Sequence, residues 1–268
     1  MFTTPPRLTR PGLFITATDT GVGKTTAACA IAWQLRRQGI ARVGVSKPFA
    51  TGCRRLREGL VSEDAEALAH FSDCRQPLDV INPIRYARPL APAVAAEAVG
   101  DAPDFDQLAS CLRRLDQEND ALLIEGVGGV LVPLSPTDPK LTVLDLIAVI
   151  GYPVVVVCRA GLGTLNHTAM TVALLRQRGC RVAGLVINGY TPDVKAPPAP
   201  TSLGADATDP SIAGNRVWLQ SMNDTSILAT IPVCPAHEVA AHRGLLPDAV
   251  LDAAAATWWP QVLATQRV

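Results

Sequence analysis

The stretch Leu13-Phe14-Ile15-Thr16-Ala17-Thr18-Asp19-Thr20-Gly21-Val22-Gly23-Lys24-Thr25-Thr26 joins a short apolar run to a segment of helical periodicity. Leu13 to Thr16 predict a strand. From Lys24 to Gln38, Ala27, Ile31 and Leu35 recur on one face, Arg36 and Arg37 fall in the last turn and Gly39 follows, which predicts a helix. Glycines between a strand and a helix suit a phosphate loop. Gly21 and Gly23 let N–H groups turn inward around phosphate oxygens, and the helix N-terminus adds its positive dipole end. In such a loop Lys24 reaches the β- and γ-phosphates and the Thr25 hydroxyl ligates Mg²⁺, with Val22 and Thr26 completing the cradle. The alternative is a chance Gly-Lys-Thr in a turn, and the correct flanking elements argue against it.

Outward from this loop, short apolar runs predict strands over 42–47, 121–124, 153–158, 182–187 and 226–231. Helical spacing predicts helices over 104–119 and 164–178, and a short one over 216–222. In the first of these, Asp104 stands at the cap, Gln107 at the capping-box position, and Leu108, Leu112 and Leu115 follow at helical spacing. The strands are apolar throughout rather than alternating, as strands covered on both faces are. The resulting fold class is α/β, a three-layer, doubly wound, mostly parallel sheet of P-loop NTPase type. Residues 1–12 are expected as a flexible N-terminal tail, and 13–268 as one domain. Within it, residues 192–214, rich in Pro, Ala, Ser and Asp, are expected to form a mobile loop.

Composition narrows the function. The 268 residues include 24 Lys plus Arg and 24 Asp plus Glu, a formal net charge of zero. That balance lacks the basic footprint of a non-specific nucleic-acid binder and the cationic clusters that bind anionic membranes. The N-terminal stretch is Thr-, Pro- and Arg-rich with no apolar signal core. The most apolar runs are broken by Asp145, Gly151 and Pro153, short of the roughly 20 residues that span a bilayer. A soluble, cytoplasmic protein is expected. Seven cysteines scattered singly, with no Cys-x-x-Cys pair, read as reduced, buried hydrophobes.

Other residues fall where chemistry would need them. Glu125 follows the apolar run 122–124 and opens Glu125-Gly126-Val127-Gly128-Gly129. A carboxylate at the carboxyl end of a strand in such a sheet faces the ligand crevice, where it can bind Mg²⁺ directly or through water, while the glycines admit nucleotide close to backbone; the alternative is an acidic residue in a strand-ending turn. Lys47 ends the second strand in Lys47-Pro48-Phe49-Ala50-Thr51-Gly52 and aims a cation at the same crevice, although a snorkelling strand-end lysine reads the same way. Asp64, in Ser62-Glu63-Asp64, is by pattern equally a helix cap or a metal ligand. Gly163-Thr164-Leu165-Asn166 presents N–H groups at a helix start, suited to a carboxylate. His167 beside it is a base candidate or, on the simpler reading, a capping and packing residue. Trp258-Trp259 reads as an anchor for the tail.

Taken in order, these segments resemble the dethiobiotin synthetases, ATP-dependent carboxylases of the biotin pathway. The resemblance is carried by 18–25, Lys47 to Gly52, Ser62 to Asp64, Asn82-Pro83, Ala91-Pro92-Ala93-Val94-Ala95-Ala96, Glu125 to Gly129, Leu162 to His167 and Asn188. It thins after about residue 190 to Asn215-Arg216 and Ile231-Pro232. It implies that 7,8-diaminononanoate, CO₂ and ATP with Mg²⁺ give dethiobiotin, ADP and phosphate through a carbamate and a carbamic–phosphoric anhydride. It further implies Lys47, Lys24 and Thr20 in catalysis, with Thr25, Asp64 and Glu125 on the metal. Nucleotide contacts fall to Gly21 to Thr26, Asp64, Glu125 to Gly128, Asn188, Gly189, Pro232, Val233 and Cys234. Substrate contacts fall to Thr20, Lys47, Thr51 (where the family commonly has Ser) and Gly163 to Asn166. In the family that last loop comes from the other subunit, so the resemblance implies a homodimer with shared active sites. On the charge balance, no nucleic-acid or membrane partner is expected.

Two rival readings use the same phosphate loop. The synthetase half of a corrinoid amidotransferase would bring a glutaminase domain with a Cys nucleophile, and no Cys here sits in such a pattern. A partition- or placement-type ATPase switch would carry a basic surface or tail helix, whereas 251–268 is poor in Lys and Arg.

Overall fold

The computed structural model describes residue 3 and residues 5–57, 59–190, 209–235 and 237–264. The chain opens with β1 (Gly12–Ala17), α1 (Lys24–Arg37) and β2 (Val43–Ser46). It continues through short strands β3 (Phe49–Thr51), β4 (Arg54–Leu56) and β5 (Gly59–Val61), helices α2 (Glu63–Ser72) and α3 (Leu78–Ile81), and β6 (Ile84–Tyr86). Next come α4 (Pro92–Glu97), α5 (Phe105–Glu118), β7 (Ala121–Gly129), α6 (Val143–Ile150), β8 (Val154–Arg159), α7 (Thr164–Gln177) and β9 (Val182–Asn188). The rest is α8 (Ile212–Asn223), β10 (Ile227–Ile231), a 3₁₀ turn at Ala241–Arg243, α9 (Asp248–Asp252) and α10 (Trp259–Ala264).

Six strands form the central sheet in the order β10-β9-β8-β1-β7-β2. All its pairings are parallel, including Phe14 with Ile124 and Ile15 with Val155. The chain winds from β1 outward in both directions, as the alternation of elements predicts. The apolar strands are explained by two cores, one on each face. Phe14, Val154, Val156 and Cys158 face one core with Leu108, Leu112 and Leu115 of α5 and the apolar side of α6. Leu13, Ile15, Val155 and Val157 face the other with α1, α2 and the C-terminal helices. No helix among the described residues is long and apolar enough to cross a membrane.

Several details correct the sequence reading. Helix α6 was not foreseen: Thr142 caps it with Asp145 in a reciprocal capping box, and Gly151 ends it in the left-handed region. Helix α8 begins at Ile212, inside the stretch expected as loop, and residues 192–208 of that stretch lie outside the described residues. The segment before β1, expected as a flexible tail, is tied down by Leu8, which is buried, and by Asp116, whose carboxylate accepts the N–H groups of Thr9 and Arg10. Of the two tail tryptophans, Trp259 is the anchor. It is fully buried and donates Nε1–H to the Ala254 carbonyl, while Trp258 stays exposed.

Candidate active site

The residues singled out from sequence gather along the carboxyl edge of the parallel sheet. There the chain leaves β1 for the 18–23 loop, β2 for Lys47, β8 for 160–166, β9 at Asn188 and β10 for 232–234. Backbone freedom shapes the first loop. Gly21 has φ 74° and Gly23 φ 87°, and a Cβ on Gly23 would overlap the Asn188 side-chain amide. Asn188 itself donates Nδ2–H to the Val22 carbonyl at 3.1 Å, so the end of β9 braces the loop. No side chain caps α1, which leaves donors of its first turn for an anion.

Behind the loop lies a compact ionic cluster. Glu125, which the sequence reading put just after its strand, lies inside β7 and is 0% exposed. Lys47, 2% exposed, donates from Nζ to Glu125 Oε1 at 2.6 Å and to the Gly126 carbonyl at 3.2 Å, and pairs with Asp64 Oδ2 at 2.7 Å. Thr25 Oγ1 is 2.9 Å from both Asp64 Oδ1 and Glu125 Oε1. Lys24 Nζ is 3.9 Å from Glu125 Oε1. Glu125 Oε2 is buried without a hydrogen-bond partner among the described residues.

Local structure holds each group in place. Ser62 caps α2 by accepting the Ala65 N–H, which sets Asp64 in the first turn. The Lys47 backbone is fixed by its N–H on the Ile81 carbonyl and by buried Asn82, whose Nδ2–H reaches the Lys47 carbonyl at 2.6 Å. Sequence reasoning quoted Asn82 only within a motif. It missed this role because the hydrogen bond joins residues 35 apart in the chain.

The electrostatics follow from burial and proximity. Burial, joined by repulsion from Lys47, lowers the Lys24 ammonium to a pKa of about 8 despite Glu125 and Asp64. Burial also opposes the Lys47 charge, but the two carboxylates outweigh it and hold the ammonium protonated beyond its ordinary range. Asp64, whose side chain is 41% exposed, would be raised by desolvation. Lys47 and the Thr25 hydroxyl instead bring it to about 2.

The remaining sites share the edge without hydrogen-bonding to the cluster among the described residues. Thr20 lies near Gly128, a glycine at φ 57° where a Cβ would meet Val132. Thr51 closes β3, Gly189 turns the chain after β9 at φ 75°, and Pro232 to Cys234 leave β10. Gly163, at φ 88°, opens α7, which no side chain caps. His167 keeps its Nδ1 buried and unpartnered among the described residues.

Two carboxylates, a hydroxyl and two ammonium groups thus converge behind a loop built for phosphate. The oxygen-only donor set of Thr25, Asp64 and Glu125 suits Mg²⁺, which usually takes one or two carboxylates and completes its shell with phosphate oxygens and water. Among the described residues no group of three or more His, Cys, Asp or Glu offers a softer alternative.

Comparison with known proteins agrees with this geometry. Residues 11–240 match the family described as "AAA domain". An ATP-dependent dethiobiotin synthetase of Anaeromyxobacter sp. (strain K) is 40% identical over 221 residues, covering 82% of this chain and 89% of the relative. That of Thermodesulfovibrio yellowstonii is 37% identical over 187 residues, covering 68% and 78%. Among solved structures, MinD of Pyrococcus horikoshii aligns with TM-score 0.52 at 14% identity, covering 96% of this chain and 100% of that one. Apo McdA of Cyanthece aligns at 0.51 with 15% identity and the same coverage. At these identities the two structures speak to the fold alone. The identity and coverage of the synthetases, joined to a phosphate loop backed by buried Lys47 and Glu125, place the chain in the ATP-dependent dethiobiotin synthetase family, ligases of biotin biosynthesis.

Proposed function

We propose that the crevice carboxylates 7,8-diaminononanoate and closes it to dethiobiotin, consuming ATP. One amine of the substrate adds CO₂ to form a carbamate. A carbamate oxygen attacks the γ-phosphorus, the bond to the bridging oxygen breaks, and ADP leaves. The second amine then attacks the carbonyl of the carbamic–phosphoric anhydride, the ureido ring closes, and phosphate departs with the C–O bonding pair.

The observation that carries this reading is the position of Lys47, held by two carboxylates immediately behind the phosphate loop. Phosphoryl transfer is governed by positioning and charge neutralisation. On this reading Lys24 serves the β- and γ-phosphates, Lys47 the transferring group and the carbamate, and Thr20 and Thr51 the diamine end of the substrate. Thr25, Asp64 and Glu125 hold Mg²⁺, which supplies charge neutralisation at the phosphates. Gly21 to Thr26 and Gly126 to Gly128 line the nucleotide, with Asn188, Gly189 and Pro232 to Cys234 toward the base.

The Gly163 to Asn166 donors take the remote carboxylate of a substrate bound in the neighbouring subunit, so the working unit is a homodimer. Leu162 and Met170 of the α7 segment, and Val217, Trp218 and Met222 of α8 packed against it, are exposed apolar residues, which supports a second copy covering these helices. Seven free thiols suit a cytoplasmic enzyme.

The test is ADP release with ATP, Mg²⁺ and bicarbonate, with and without 7,8-diaminononanoate, with dethiobiotin followed by mass spectrometry. Diamine-dependent turnover that Lys47→Ala abolishes is expected. ATP turnover indifferent to the diamine would overturn the reading, and a monomer by light scattering would overturn the shared site.

A further inference from the structure

The turn that leads into α7 is gripped by the residues that open α8. Asn215, 6% exposed, donates from Nδ2 to the Ala160 carbonyl at 2.7 Å and the Gly161 carbonyl at 3.3 Å, and lies 3.1 Å from Ser211 Oγ. Asp209 grips with the opposite polarity. Its Oδ2 accepts the Leu162 N–H at 2.6 Å, while Oδ1 accepts the Ser211 N–H at 2.9 Å and the Ser211 hydroxyl at 2.7 Å. The approach is close enough that a Cβ on Gly161 would lie 2.6 Å from Asp209 Oδ2. Residues 160–162 are therefore fixed on both their carbonyl and their N–H sides.

Directly after this clamped turn comes the donor set at the start of α7. Gly163 takes its left-handed conformation, the Thr164 N–H turns back to the Gly161 carbonyl at 3.3 Å, and the Leu165 and Asn166 N–H groups come next with no side-chain cap. The aim of these donors is set by the turn before them, and hydrogen bonds lose strength steeply as they leave line. We infer that Asp209 and Asn215 are positioning residues that set the α7 donors for the substrate's remote carboxylate and thereby determine selectivity for a diamino acid over a plain diamine. This rests on the reading that those donors take the carboxylate. Neither residue touches the phosphate loop or the ionic cluster among the described residues, so the effect falls on diamine recognition and not on ATP.

The test compares 7,8-diaminononanoate with 2,3-diaminooctane, the same vicinal diamine without its carboxylate, in the full-length enzyme. Asp209 is partly buried and belongs to neither hydrophobic core, so Asp209→Ala leaves the core intact. It is expected to raise the KM for the diamino acid about 5- to 10-fold, the scale of the net contribution of one hydrogen bond, with kcat and the KM for ATP within about twofold. The KM for 2,3-diaminooctane is expected to stay unchanged. Asp209→Asn, which keeps an acceptor oxygen for the Leu162 N–H, is expected to recover most of the loss. Selectivity kept intact in Asp209→Ala, or an equal rise for both diamines, would overturn this inference alone. Equal KM values for the two diamines in the wild type would overturn the carboxylate reading of the α7 donors, and this inference with it.

Discussion

Replacing Lys47 by Met tests the ionic cluster directly, because Met keeps the aliphatic volume and removes the charge. In the wild type, Nζ lies 2.6 Å from Glu125 and 2.7 Å from Asp64. Breaking a buried pair by removing one partner typically costs about 3–5 kcal/mol, since the other charge is left uncompensated. Here the two carboxylates fare differently. Asp64, 41% exposed, regains water, whereas Glu125, at 0%, keeps only Thr25 and the more distant Lys24 among the described residues. The loss therefore falls on Glu125, at the lower end of the range, about 3 kcal/mol. At about 2–4 °C per kcal/mol for domains somewhat smaller than this one, the melting temperature falls by about 6–12 °C. Urea denaturation of Lys47→Met, Glu125→Gln and the double variant closes a thermodynamic cycle in which the double is about 2 kcal/mol more stable than the sum of the singles predicts. The stability gap between wild type and Lys47→Met narrows on acidification. Asp64 is held at about 2 in the folded wild type against an ordinary value of 3.8, so its contribution is present above 3.8 and lost as the pH falls toward 2. Additive single variants, within about 0.5 kcal/mol, would refute the argument that these charges support one another.

Lys24, lowered to about 8 in the free protein, is recharged when phosphates bind beside it, so nucleotide binding at pH 8.5 takes up a proton. Calorimetry in two buffers of different ionisation enthalpy measures the uptake, and its persistence in Lys24→Arg would assign it elsewhere. Gly23→Ala, at φ 87° and against Asn188, forces the loop to shift and is expected to weaken ATP binding about 5- to 150-fold, the scale of 1–3 kcal/mol for such strain; unchanged affinity in a fluorescent-nucleotide titration would refute this. Trp259→Ala is expected to cost about 3–5 kcal/mol in urea denaturation, and exposed Trp258→Ala within about 0.5 kcal/mol; equal effects would show that the tail is not anchored as described.

Much of this architecture is written in short-range pattern. Residues 13–26 carry strand, phosphate loop and helix within one uninterrupted stretch, and the apolar runs at 121–124, 153–158 and 182–187 announce a sheet covered on both faces. The Thr142–Asp145 capping box that starts α6 was equally present in the sequence. The sequence reading weighed that run only as a bilayer span, broken by Asp145, Gly151 and Pro153, although the apolar residues after Thr142 form two turns of helix. Turn chemistry, capping and periodicity act over about four residues, which is why those features are readable one segment at a time.

The site itself was decided over longer distances. From its own neighbours Lys47 reads as a snorkelling strand-end lysine and Asp64 as a helix cap. They become one ionic cluster because β7 inserts between β1 and β2, bringing Glu125 across 78 residues to Lys47 and across 100 to Thr25. The Asn82 brace on Lys47, the Asn188 brace on the phosphate loop and the Asp209–Asn215 clamp arise in the same way. The sequence by itself determined the phosphate loop, the α/β class and the kinds of residue available for chemistry, since these rest on local conformational preference. Only the tertiary structure decided which charges face one another and which donors stay free, because strand order and burial are properties of the whole packed sheet.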